Sequence, residues 1–372
     1  MTANPSLLPE GLRDRLPPEA EALGRVRGAV LWVAELNGYA RVEPPLAEFE
    51  TTLLGRLKSS RPTDLWRVID PISQRTLALR PDITAQVGRI AATRMAHRPR
   101  PLRLCYAGQV LKVRGTMLRP EREMCQAGCE IVGTDGVAAV IEAIRVALDA
   151  LTAAGATGLS IDLTLPDLVP LLAAGPMPLA PDKVDTIIHE LDGKDAGALA
   201  DLGASAYLPL IEAAGPVASA IAKLAALDSG GLLTSRLDGI RAIAAAIDGR
   251  ATVTLDPAER HGFEYQSWIG FSVFAAGVRG EVGRGGSYTI VHPNETEEPA
   301  VGFSLFLDPI VDAGVAAVRR DRVFVPLGTD PAVAAGLRER GLATIAALSD
   351  ADDALALGCT HRWADDALIP LA

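Results

Sequence analysis

The segment Glu123–Val132, EMCQAGCEIV, holds the residues whose types and spacing best suit chemistry. Read as a strand, its period-two alternation puts Cys125, Ala127 and Cys129 on one face and Gln126, Gly128 and Glu130 on the other. Gln126 and Glu130 then stand roughly 13 Å apart along the backbone, and Gly128 leaves space between two long polar side chains that can converge on a small polar ligand. The bland alternative is a half-exposed strand with solvated polar residues. A second polar pair, Asp82 and Thr84, opens a helix expected to run to Met95. Pro81 and Asp82 suit its first turn, and as plain capping residues Asp82 and Thr84 need no ligand.

Other candidates carry less. Gly283-Arg284-Gly285-Gly286-Ser287 lacks the spacing and following helix of a phosphate loop, so it reads as a turn or bulge where backbone approaches a ligand. On a strand, the C-x3-C pair Cys125 and Cys129 is too widely spaced to share one metal, and no His or Cys pair lies nearby, so no metal site is expected. His361, alone on a terminal strand, reads as structural rather than catalytic.

Several elements must position these residues. An amphipathic helix over 17–38 starts at Pro-Pro and closes at Gly38. Tyr39 to Glu43 is strand-like until Pro44 and Pro45, which suit an edge or an interface. Leu65–Ile69 and Arg75–Leu79 form a hairpin around Asp70-Pro71. Strands at Leu104–Val113 and Glu123–Val132 flank a basic loop, and Val137, Val140, Ile141, Ile144, Leu148 and Leu151 make a helical stripe ending at Gly155. Ser160–Leu165 is a strand, and 166–250 reads as an inserted helical subdomain. Strands resume at Ala251–Leu255, Trp268–Ala275 and Gly277–Val282. From 319 the alternation implies a small parallel sheet with a short acidic helix at DADDALALG and a final strand near CTHRW. The fold class is α+β, with a core over 1–318 and a small α/β domain over 319–372.

The 372 residues are 49% hydrophobic and 22% charged, the balance of soluble globular material. With 36 basic against 46 acidic residues the net charge is -10, which speaks against nucleic acid as a partner. No secretory leader and no run of about 18 apolar residues is present, so a cytoplasmic chain without membrane contact is expected. Four cysteines in so long a chain suit a reducing compartment.

Six stretches in series resemble the catalytic core of histidyl-tRNA synthetase: LRPDIT (79–84), LCYAGQVLKV (104–113), EMCQAGCEIVG (123–133), RHGFEYQSWIGFSVF (260–274), GRGGSY (283–288) and VGFSLFLDPI (301–310). Their order and spacing match over most of 5–315. GYARVEPPLAE resembles that class's first motif, whose strand and proline build a homodimer interface. The resemblance implies the class II synthetase antiparallel sheet with flanking helices, and in the C-terminal domain a truncated anticodon-binding domain too acidic for tRNA phosphates.

The departures decide the function that the resemblance implies. Where the synthetase's second motif has an ATP-gripping arginine and a His-Glu-Arg run, this chain has Leu111, Lys112, Val113 and Arg114, losing the bidentate fork. Where its third motif ends Gly-Leu-Glu-Arg, this chain has Phe306, Leu307, Asp308 and Pro309. A further catalytic arginine falls at or beside His261, and Ser287 stands where the glycine run is followed by arginine. Losing one preorganised charge lowers a rate by about 10²-fold or more, so this degenerate nucleotide site should not adenylate.

The positions that hold histidine in the synthetase are partly kept: Asp82, Thr84, Gln126, Glu130 and Tyr265, with Gln266 beside the last. That pattern resembles the regulatory subunit of ATP phosphoribosyltransferase, a noncatalytic paralogue. It implies a short-form catalytic subunit as partner, a homodimer within a hetero-oligomer of octamer size, histidine as effector and no cofactor. A divergent synthetase-like enzyme is the alternative, and an RNA-binding scaffold fits the acidic balance poorly.

Overall fold

The computed structural model describes residues 7–54, 65–115, 120–228, 230–260, 266–316 and 320–371. Contacts divide the chain into two units, 1–316 and 317–372.

In the first unit α1 (Glu19–Leu36) follows Pro17-Pro18 and stops before Gly38, whose φ of +81° a β-carbon would resist. Its buried stripe, Ala22, Val26, Val30, Leu31 and Ala34, joins the main core. Next comes β1 (Ala40–Arg41), then Pro44-Pro45. A separate three-stranded sheet holds β2 (Ala47–Phe49), β3 (Trp66–Ile69) and β4 (Thr76–Leu79) in the order β2-β4-β3, with α2 (Glu50–Leu53) between β2 and β3. The expected hairpin forms because Asp70 turns the chain, its carboxylate accepting the amides of Ile72 and Ser73 at 3.2 and 3.1 Å. The following helix, α3 (Thr84–Ala92), ends before Met95, which instead closes a turn onto the Ile90 carbonyl.

The main sheet begins with β5 (Leu102–Leu111) and β6 (Glu123–Val132), an antiparallel pair, and α4 (Val137–Ala153) packs across it. After β7 (Ser160–Thr164) the chain forms α5 (Leu168–Ala173), α6 (Val184–Asp192), α7 (Ala196–Asp201), α8 (Leu208–Glu212), the short β8 (Gly215–Pro216), α9 (Val217–Leu227) and α10 (Thr234–Ala246). It returns through β9 (Thr252–Leu255), β10 (Gln266–Phe274), β11 (Gly283–Val291), β12 (Glu297–Phe306) and α11 (Leu307–Asp312). Nine strands line up as β1-β5-β6-β12-β11-β10-β7-β9-β8, antiparallel except for β1 on β5 and β7 on β9. β1 at the margin fits the proline-ended strand expected there.

One expectation fails in this sheet. Gly277–Val282 is not a strand: Gly277 and Gly280 both take φ +74° in a turn, and Gly283–Ser287 lies within β11. The glycines serve interstrand packing, not a turn. A β-carbon on Gly283 would lie 2.5 Å from Leu305 Cδ2, and one on Gly285 2.4 Å from Phe271 Cζ. Side chains of neighbouring strands cross the backbone there, where a ligand was expected.

The second unit is a four-stranded sheet, β14-β13-β15-β16, from β13 (Arg322–Val325), β14 (Ala343–Ala346), β15 (His361–Ala364) and β16 (Ala367–Pro370). Between β13 and β14, α12 (Pro331–Glu339) starts with proline after Asp330, whose side chain accepts the Ala332 amide. The expected all-parallel sheet is mixed, since β16 returns antiparallel on β15. DADDALALG forms turns rather than a helix. Asp352 accepts the amides of Leu348 and Ser349 at 2.6 and 3.1 Å, a local bond that competes with helical pairing.

Candidate functional site

The alternation in β6 places its two faces as expected, and both are buried. Cys125, Ala127 and Cys129 enter the main core beneath α4. On the opposite face Gln126 and Glu130 are each 1% exposed, which removes the solvated-strand alternative.

What fills the space over Gly128 differs from the expectation. Tyr106 of β5 and Ser304 of β12 are its direct register partners on either side. Their hydroxyls meet at 2.9 Å, and a β-carbon on Gly128 would lie 2.5 Å from the Tyr106 oxygen. The glycine gap admits a phenol and a serine of this chain, not an open ligand floor. These hydroxyls extend into one buried layer. Tyr106 contacts Thr84 Oγ1 at 3.2 Å and donates to Glu130 Oε1 at 3.1 Å, while Tyr288 of β11 donates to Glu130 Oε2 at 2.8 Å. Gln126 Nε2 donates to Asp82 Oδ2 at 2.8 Å and to Ser304 Oγ at 2.6 Å, and its Oε1 accepts the Ile83 amide at 3.0 Å. Asp82 Oδ1 in turn accepts the Thr84 amide at 2.7 Å from the residue before the N-cap Ile83, which itself makes no side-chain cap bond, while Thr84 turns its hydroxyl to Tyr106 instead of capping.

Glu130 is the exceptional member. Burial among neutral groups pushes its carboxyl up to about 8, against opposing hydrogen bonds from Tyr288, Thr84 and Tyr106 and with help from nearby Asp82. Burial and the same carboxyl drive the Tyr106 phenol well above its ordinary range. Glu130 fits because Gly302 stands opposite it in β12: a β-carbon there would fall 1.7 Å from Glu130 Oε2. The structure therefore brings Asp82, Thr84, Gln126 and Glu130 together. Tyr265 and His261 lie outside the described residues, and Gln266 is described only as the start of β10. Sequence reasoning missed Tyr106, Tyr288 and Ser304. Their signal is a position on the same sheet face as Gln126 and Glu130, which needs the strand register to be seen.

The other end of β12 is built differently. Phe306 packs with Ile83, Val110 and Met124 in a second apolar cluster that also takes in the rings of Tyr106 and Tyr288, and Arg284 stacks on its ring at 5.6 Å. Leu307-Asp308-Pro309 starts α11. Asp308 Oδ2 accepts the Cys125 amide at 2.6 Å, and Oδ1 pairs with Arg15. Burial raises the Asp308 carboxyl, against the pull of Arg15. Lys112 and Arg114 are exposed beyond the end of β5. A separate cavity of about 500 Å³ includes Asp135, Asp167, Arg236 and Trp268 in its lining and none of the residues expected from the sequence.

A family model described as histidyl-tRNA synthetase matches residues 11–310. A solved histidyl-tRNA synthetase from Nostoc sp. PCC 7120 superposes with a TM-score of 0.76 at 15% identity, covering 96% of this chain and 90% of that one. The protein has the class II histidyl-tRNA synthetase fold. A structure titled ATP phosphoribosyltransferase regulatory subunit/histidyl-tRNA synthetase, from Bacillus halodurans, superposes at 0.80 with 21% identity over 95% of this chain and 96% of that one. An ATP phosphoribosyltransferase regulatory subunit of Rhodospirillum centenum is 42% identical over 369 residues, covering 96% of this chain and 95% of the relative. One from Gluconobacter oxydans is 39% identical over 380 residues, covering 100% and 98%. The chain belongs to the family of ATP phosphoribosyltransferase regulatory subunits. Among the described residues, no helix is long and apolar enough to cross a membrane.

Proposed function

We propose that this chain is the noncatalytic regulatory subunit of ATP phosphoribosyltransferase, that a short-form catalytic subunit depends on it, and that it carries feedback by histidine. The observation that supports the reading is the contrast along β12. The polar layer keeps Asp82, Thr84, Gln126 and Glu130 together, whereas Phe306 and the Arg15–Asp308 pair fill the end of β12 that the synthetase resemblance assigns to nucleotide. A sensor keeps the amino-acid half and can dispense with the ATP half. We infer a cytoplasmic chain, homodimeric within a hetero-oligomer. Trp32 and Leu36 of α1, 61% and 68% exposed and one turn apart, are apolar surface suited to such contacts. The acidic second unit is a remnant of an anticodon-binding domain with a packing role.

Calorimetric titration with histidine, and in parallel with ATP, tests this. Histidine should bind and ATP should not, and adding the chain to purified short-form catalytic subunit should switch on phosphoribosyl transfer that histidine then suppresses. Histidine-dependent ATP–pyrophosphate exchange would instead establish an active synthetase-like enzyme. Gln126→Ala and Glu130→Ala should each abolish histidine binding and leave subunit assembly intact; unchanged affinity in both would move the effector site elsewhere.

A further inference from the structure

Glu130 and Asp82 are two carboxylates joined through one hydrogen-bonded layer that contains no cation among the described residues. β5 presents Tyr106 to Glu130, β11 presents Tyr288, the start of α3 presents Thr84, and β12 presents Ser304 and the bare Gly302. Gln126, on the same strand as Glu130, carries the connection to Asp82. The buried guanidinium of Arg80 interacts with the charge of Asp82 but commits its hydrogen bonds to other oxygens: it donates to the carbonyls of Gln109 and Pro44 at 2.7 and 2.8 Å and to Gln86 Oε1 at 3.3 Å. A fully buried carboxylate without a cation is unfavourable, and such a group keeps its proton or takes a positive partner.

Resting on the effector reading above, we propose that the site takes up a cationic nitrogen of an amino acid in exchange for a proton held on Glu130. The O–H bond of the carboxyl breaks, the proton leaves to solvent, and the ligand's N–H groups pair with the carboxylate left behind. Glu130 thus carries no charge when the site is empty and is matched by the ligand's charge when it is occupied, and Tyr106 and Tyr288, which donate to the carboxylate oxygens, ease the change. Affinity for the effector consequently depends on pH in a range set by the buried acid rather than by the ligand.

The test is calorimetry with L-histidine from pH 6.5 to 8.5 in pairs of buffers with different ionisation enthalpies. With the midpoint of Glu130 near 8, affinity should fall by about tenfold for each pH unit on the acid side and level off above it. Buffer-dependent heats at pH 7 should report close to one proton released, beyond the ligand's own. Tyr288→Phe removes a hydroxyl that favours the ionised carboxyl and should move the levelling point to higher pH. In Glu130→Gln, any residual binding should lose the extra proton release. Histidine binding with no extra proton release and no shift in Tyr288→Phe overturns the exchange and leaves the effector reading standing. No histidine binding at any pH overturns both.

Discussion

A single residue of β12, Leu305, separates two ways of filling a site. Around Gly302 and Ser304 the strand borders polar groups that bond to one another; from Phe306 onward it borders an aromatic ring, a helix start and an ion pair closed within the chain. The second region is packing, and apolar packing tolerates exchange of one hydrophobic group for another of similar volume. The first cannot drift so freely, because each buried donor or acceptor that loses its partner is destabilising by about 1–3 kcal/mol. A polar layer kept fully hydrogen-bonded beside apolar packing is the costlier arrangement of the two to hold.

The comparison breaks most readily at Gly302. Gly302→Ala would put a methyl 1.7 Å from Glu130 Oε2 and 2.5 Å from the Cys129 carbonyl, and the backbone oxygen cannot retreat within a paired strand. A loss of about 3 kcal/mol or more is expected, beyond the usual range for overpacking, and urea unfolding followed by circular dichroism measures it. A near-neutral effect would mean that the Glu130 layer is loose. Arg15→Ala comes next. It strands Asp308, whose side chain is only 10% exposed, and should destabilise by about 3 kcal/mol; the double variant Arg15→Met, Asp308→Leu should recover much of that. Failure of the double variant to recover would assign the pair a role beyond balancing each other's charge. Tyr106→Phe should lose about 2 kcal/mol, since one hydroxyl serves Thr84, Glu130 and Ser304. A smaller loss in thermal unfolding would show that Ser304 and Thr84 can satisfy one another.

Much of this arrangement was legible in the residues. Strict alternation gave β6 its two faces, and Pro-Pro with Gly38 bounded α1. What escaped shares one physical cause: partners remote in sequence. Gly283 and Gly285 look like turn residues until Leu305 and Phe271 are seen to press on them. Gly128 looks like ligand space until Tyr106 and Ser304 close over it from two other strands. DADDALALG has helical composition, yet Asp352 captures two backbone amides before a helix can. Local pattern sets which face a side chain takes; register sets what meets it there.

The smallest expected effect is the most informative about the silent end. Pro309 lies half-buried in the first turn of α11, where arginine is well tolerated by the helix, so Pro309→Arg should change stability by under about 0.5 kcal/mol. It restores the guanidinium that the synthetase resemblance places there. It should nevertheless gain no ATP binding by calorimetry, because Phe306 still occupies the apolar cluster and Asp308 still faces Arg15, setting a buried carboxylate beside any incoming phosphate. Micromolar ATP binding in this variant would mean that a single charge, rather than the refilled volume around Phe306, separates the two ends of β12.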